Sequence, residues 1–267
     1  MKRKLLALAV LVVFGLAKLP LEESATHSLR THRLLSKPID LSLRENLGQM
    51  GFAAALGGLR SLVASITYLQ AYTAFENVDW AKVDGLFQLT TRLQPGYGKY
   101  WVEASWHMAY NAASSYLFDK KIRPAIRNQL ARDHVRRGID ILEEGLRFSP
   151  DDPGLWVELG NIYARRGLNI ITEQWETMDA KKAGECYLRG FKNGALPVYE
   201  RFGAYELLKA DDIESTRTAY DILKRNYDHS TRTPGLIHNL KVAEEKLNIP
   251  AARRIPDPEP APARGRQ

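Results

Sequence analysis

The chain has 267 residues, of which 45% are hydrophobic and 26% charged, and its net charge is +7. That length admits one or two domains with a sizeable core, and the composition excludes a wholly disordered or fibrous chain. Cys186 is the single cysteine, which excludes an internal disulfide, and in a helical apolar pattern it reads as a small buried hydrophobe.

The first predicted element spans residues 1–21. A basic start, Met1-Lys2-Arg3-Lys4, precedes an uncharged run of thirteen residues, Leu5 to Ala17. A run that short suits a secretory signal, since a full span needs about 20 apolar residues. Lys18 can snorkel, and Leu19-Pro20-Leu21 lengthens the run into a membrane anchor. No cysteine follows, which rules out a lipoprotein anchor. The positive charge ahead of the run predicts export of the remainder. The protein is then anchored at the inner membrane facing the periplasm, or soluble in the periplasm if the signal is cleaved. Residues 22–46 are polar, contain Pro38, and read as a linker.

From 47 to 248 apolar residues recur at helical spacing, and nothing alternates as a strand would. The stretch from Gly51 to Tyr72 carries one charge, Arg60. As a second membrane span it would bury that charge at a cost of about 2.5–3.5 kcal/mol. As a phosphate cradle it lacks the glycine and lysine spacing that wraps a phosphate. It is predicted to be a buried helix, with Leu62, Ile66, Leu69 and Tyr72 facing inward and Arg60 meeting a carboxylate.

Two registers follow. Val83, Phe87, Thr90 and Pro95 are followed six residues on by Trp101; Gly138, Leu142, Gly145 and Pro150 are followed six residues on by Trp156. The second tryptophan opens Trp156-x-x-Leu159-Gly160-x-x-Tyr163, which puts its large side chains on one helix face around a glycine that admits a close neighbour. The registers are 55 residues apart, against roughly 34 for one repeat, so helices or loops between them are lengthened. Ala183, Tyr187 and Gly190, then Tyr199-x-x-Phe202-Gly203, then Ala219 and Leu223, give looser copies, and Leu236 to Leu247 closes the series. Five prolines from Ile249 onward predict a disordered tail over 249–267.

Between the registers, Glu103 and His107 stand one helical turn apart, a spacing that reaches a metal or makes an intrahelical hydrogen bond. The segment 117–138 carries Lys120, Lys121, Arg123, Arg127, Arg132, Arg136 and Arg137 against two aspartates. It reads as a basic inserted helix, either a solvated face or a surface for anionic lipid head groups or an acidic partner. No aromatics interleave with those cations as a nucleic-acid surface would require.

On the two tryptophan and proline registers the chain resembles the tetratricopeptide-repeat superfamily. More narrowly, GGLRSLVA and WVEASWHMAYN make it similar to bacterial proteins with an N-terminal anchor ahead of irregular repeats, a group that implies no activity. The superfamily implies an all-α solenoid of helix pairs that holds other proteins in a groove lined by the first helix of each pair. Mapped onto this sequence, the groove residues are Lys99, Trp106 and Tyr110 in one repeat and Asn161 and Arg165 in the next. Asn161 matches the asparagine with which the family holds a peptide backbone. Val102 and Val157 stand where lysines clamp a terminal carboxylate, so that mode of recognition is not implied.

The expected function is a non-enzymatic scaffold of the bacterial cell envelope that binds a protein or peptide segment, with no cofactor, no nucleic acid and no small-molecule substrate. Two alternatives stand beside it. One is an envelope metal-binding protein or enzyme using Glu103, His107 and the pair Asp133 and His134. The other is a lipid-surface module built on residues 120–137.

Overall fold

The computed structural model describes residues 59–170, 176–210 and 212–256, with the backbone alone for 165–170 and 176–179. Among these residues all regular structure is helical. The helices are α1 (Arg60–Glu76), α2 (Trp80–Leu93), α3 (Gly98–Trp106), a π-helical turn (His107–Ala112), α4 (Ala113–Phe118), α5 (Pro124–Phe148), α6 (Pro153–Ile170), α7 (Glu176–Lys192), α8 (Val198–Leu207), α9 (Ile213–His229) and α10 (Pro234–Lys246). The expected anchor and linker lie outside the described residues, and no described helix is long and apolar enough to cross a membrane.

Starts and stops follow the local sequence. Asp79, Asp212 and Thr233 cap the N-termini of α2, α9 and α10 through side-chain oxygens that accept backbone N–H groups, satisfying donors that a helix cannot satisfy itself. Pro124 and Pro234 occupy first turns, where their missing N–H costs nothing.

Each helix packs chiefly on its neighbours in the chain, and α3 also reaches α6, one helix pair further on. One apolar cluster runs from Ala71 to Tyr187 and a second from Ala204 to Ile255. Both registers sit at equivalent junctions. Trp101 donates its indole N–H to the carbonyl of Pro95 at 2.8 Å, and Trp156 donates to that of Pro150 at 2.7 Å. Gly145 makes the first junction possible: a Cβ there would lie 2.8 Å from Trp101 Cγ. The 55 residues between the prolines are taken up by long helices. The run from α3 through the π turn to α4 is continuous, and α5 has 25 residues.

Three expectations need correction. On α1 the buried residues are Ala64, Thr67, Ala71 and Ala74, and Leu62, Ile66, Leu69 and Tyr72 are exposed, Leu69 by 64%. Small side chains let α1 approach α2 closely enough for Thr67 Oγ1 and Thr90 Oγ1 to meet at 2.8 Å. The large residues share the same helical period about half a turn round and face outward. Arg60 donates from Nη2 to the carbonyl of Arg92 at 3.1 Å, at the electronegative C-terminal end of α2.

The predicted basic helix is also different in kind. Lys120, Lys121 and Arg123 lie in the turn between α4 and α5, and α5 begins at Pro124, so the later cations share one helix with Gly138 and Gly145. The proline-rich tail, expected to be disordered from Ile249, is docked as far as it is described. Ile255 is buried in the second cluster, its N–H donates to Glu244 Oε1 at 2.8 Å, and Lys241 Nζ reaches its carbonyl at 3.4 Å. One apolar side chain and a buried acceptor hold a segment whose composition alone indicated no order.

Candidate functional site

Tyr68 and Tyr72 stand one turn apart on α1 and face Glu103 on α3. The Tyr68 hydroxyl donates to Glu103 Oε2 at 2.5 Å, and Tyr72 reaches the same oxygen at 3.3 Å. Lys99 Nζ lies 3.5 Å from the other carboxylate oxygen. Burial first, and the bond to Glu103 second, push the Tyr68 phenol above its ordinary range, so Tyr68 stays a donor throughout ordinary pH. The pair ties α1 to α3.

His107 begins the π-helical turn and is buried. Four rings surround it: Phe75 at 4.7 Å, Trp106 at 5.2 Å, Phe87 at 5.3 Å and Tyr72 at 5.7 Å between centroids. Burial holds its pKa below the ordinary histidine value, with the nearby charge of Glu103 opposing. Asn111 Nδ2 lies 3.2 Å from Nδ1. A neutral imidazole accepting there carries its proton on Nε2. His107 therefore forms an aromatic floor beneath the neighbouring rings.

Tyr72 and Trp106 rest edge-on against that floor, at 87° and 77°, and leave 41% and 45% of their own surfaces in water. Leu69, one turn from Tyr72, continues the apolar surface along α1 through Ile66 and Leu62. Rings with apolar faces and polar tips suit a partner's side chains at low entropic cost.

The residues expected from the sequence do not all join this site. Lys99 and Trp106 lie on it, and Tyr110 follows on the same helix run, half-buried against the core. Asn161 is engaged elsewhere: its Oδ1 accepts from the Tyr187 hydroxyl at 2.8 Å, and its Nδ2 donates to Glu158 at 2.9 Å. It links α6 to α7 instead of presenting its amide to a peptide. The side chain of Arg165 lies outside the described residues.

Glu103 and His107 do not bond to each other; their partners are the tyrosines, Lys99 and Asn111. Among the described residues no group of three histidine, cysteine, aspartate or glutamate side chains is placed to hold a metal. His134 stacks flat on Tyr116 at 5.0 Å, and neighbouring Asp133 accepts from Gln129 at 2.8 Å. Cys186 is buried, and desolvation pushes its thiol up to about 12, so it has no thiolate for nucleophilic work at neutral pH.

The basic residues also divide. Arg137 forks onto Asp84 of α2, its Nε lying 3.0 Å from Oδ2 and its Nη2 3.0 Å from Oδ1. Arg132 donates to Gln129 from both Nε and Nη2. Arg127 is half-buried, and Arg136, Lys120, Lys121 and Arg123 are exposed.

Sequence reasoning missed Tyr68, Tyr72 and the floor role of His107. A usable signal was present: two pairs at one-turn spacing, Tyr68 with Tyr72 on α1 and Glu103 with His107 on the run of α3 into the π-helical turn. No family model matches the chain, and neither a curated protein nor a solved structure matches it.

Proposed function

We propose that the chain is a non-enzymatic, tetratricopeptide-like α-solenoid that seats an apolar segment of a partner protein across Tyr72 and Trp106. One observation carries the reading: two exposed aromatic rings on consecutive first helices share the buried floor of His107. Trp106 stands 34 positions after Tyr72, which is about one tetratricopeptide repeat, so the two rings are repeat-equivalent. Support also comes from the repeated indole to proline-carbonyl bond and from packing between chain neighbours, the arrangement from which solenoids build binding surfaces.

The mechanism is stoichiometric binding. Glu103, Tyr68 and Lys99 lock the site before a partner arrives, so little side-chain order has to be gained on association. The partner segment is apolar or aromatic. With residues 1–21 acting as anchor or signal, it belongs to an envelope or exported protein. The test is the affinity of the full chain for that segment before and after Trp106→Ala. Loss of tenfold or more, about 1.4 kcal/mol, is expected for an interface anchor. Equal affinity with an intact fold would remove the site from the reading.

A further inference from the structure

Phe118, at the end of α4, is 75% exposed, the highest value among the large apolar side chains described as exposed; Ile126, on the first turn of α5, is 51% exposed. Between them stand Lys120, Lys121 and Arg123, all exposed and without an ion pair among the described residues. The sole carboxylate from Phe118 to Ile126 is Asp119, whose Oδ1 accepts the backbone N–H of Lys121 at 2.8 Å.

The corner is built rather than loose. Asp119 and Arg123 carbonyls accept the N–H groups of Ile122 and Ile126 at 3.3 and 3.0 Å, and Pro124 fixes the entry into α5. Two apolar tips are thus held in water beside three uncommitted cations. A nucleic acid serves only one half: it would take the cations and leave the phenyl ring wet. Two side chains are also too little apolar area for a stable protein interface. A bilayer serves both: the acyl boundary receives the apolar tips and anionic head groups receive the cations.

We propose that this corner docks the protein on the surface of an anionic lipid bilayer, through insertion of Phe118 and Ile126 and head-group contacts of Lys120, Lys121 and Arg123. The contact is separate from the aromatic cleft and from residues 1–21, so it orients the folded region at a membrane in addition to any tether.

The test places an environment-sensitive nitrobenzoxadiazole label on Ala125→Cys in a Cys186→Ala background of the full chain. The chain is reconstituted in phosphatidylcholine vesicles with and without phosphatidylglycerol. The expected result is a blue shift of label emission only with phosphatidylglycerol. Raising salt to about 1 M, where the Debye length falls to about 3 Å, reverses it, and it is lost in both Phe118→Ser/Ile126→Ser and Lys120→Gln/Lys121→Gln/Arg123→Gln. Because the label reports the corner itself, insertion of residues 1–21 alone gives no shift. Emission that is the same in both vesicles, or a shift in phosphatidylcholine alone that salt leaves unchanged, overturns the proposal. So does a phosphatidylglycerol-dependent shift that survives both sets of substitutions.

Discussion

Trp101 donates its indole N–H to the carbonyl of Pro95, and 55 residues later the same bond joins Trp156 to Pro150. The two bonds differ in burial, since Trp101 is buried and stacks on Phe148 at 5.7 Å, whereas Trp156 is half-buried beneath Arg189 at 4.7 Å. Trp101→Phe therefore leaves a buried carbonyl without its donor and a gap beside Gly145. It is expected to cost about 2–4 kcal/mol, against about 1 kcal/mol or less for Trp156→Phe. Gly145→Ala, whose added methyl collides with the Trp101 ring, is expected to cost about 1–3 kcal/mol. Urea unfolding of the three variants checks the order.

His107 gives stability a defined pH dependence. Burial lowers its folded pKa below the ordinary 6.5, and His134, also desolvated, shifts in the same direction. Between the lowered folded values and about 6.5 the unfolded chain binds more protons. Stability is thus fully present above about 6.5, falls as pH drops below it, and levels off once the folded histidines also protonate. Unfolding midpoints followed from neutral to mildly acidic pH are expected to fall less steeply in His107→Leu than in the unaltered chain.

The exposed stripe of α1 makes a test of orientation. Ile66→Ser and Leu69→Ser are expected to change stability by about 0.5 kcal/mol or less. Ala71→Leu forces a large side chain into the α1 to α2 contact and is expected to cost about 1–3 kcal/mol. Thermal unfolding separates the two sets.

The fold was readable where a residue type has a single physical reading. Trp156-x-x-Leu159-Gly160-x-x-Tyr163 and the two prolines located helix ends and close contacts because glycine and proline constrain backbone and packing directly. The face of α1 was not readable, because Leu62, Ile66 and Leu69 repeat with the same period as Ala64, Thr67, Ala71 and Ala74. Periodicity reports a face without saying which of two faces is covered. The bond of Asn161 to Tyr187 was not readable for a related reason: a matched position says nothing about a hydroxyl arriving from another helix. The tail failed because composition averages over Ile255, the residue that docks.

That docking predicts a boundary. Deleting residues 257–267 is expected to leave the melting temperature unchanged. Deleting 249–267 removes Ile255 and leaves the buried Glu244 carboxylate without the N–H it accepts, and a loss of about 2–4 kcal/mol is expected. Differential scanning calorimetry of the two truncations reads the difference.

Cys186 supplies a reporter of opening. Its thiol is buried and raised to about 12, so iodoacetamide at pH 8 is expected to modify it only through opened states. The labelling rate should rise with denaturant in step with unfolding, and rapid labelling of the native chain would contradict the burial of α7 against α6.

The central claim is that Tyr72 and Trp106 form the seat for a partner segment. Its most direct test places a photo-crosslinking amino acid at 72, at 106 and, as a control on the exposed face of α9, at 218 in the natively expressed full chain. The account predicts one shared adduct from 72 and 106, joined to an apolar segment of a single protein, and none from 218. Absence of an adduct at 72 and 106, or the same adducts from all three positions, would contradict it.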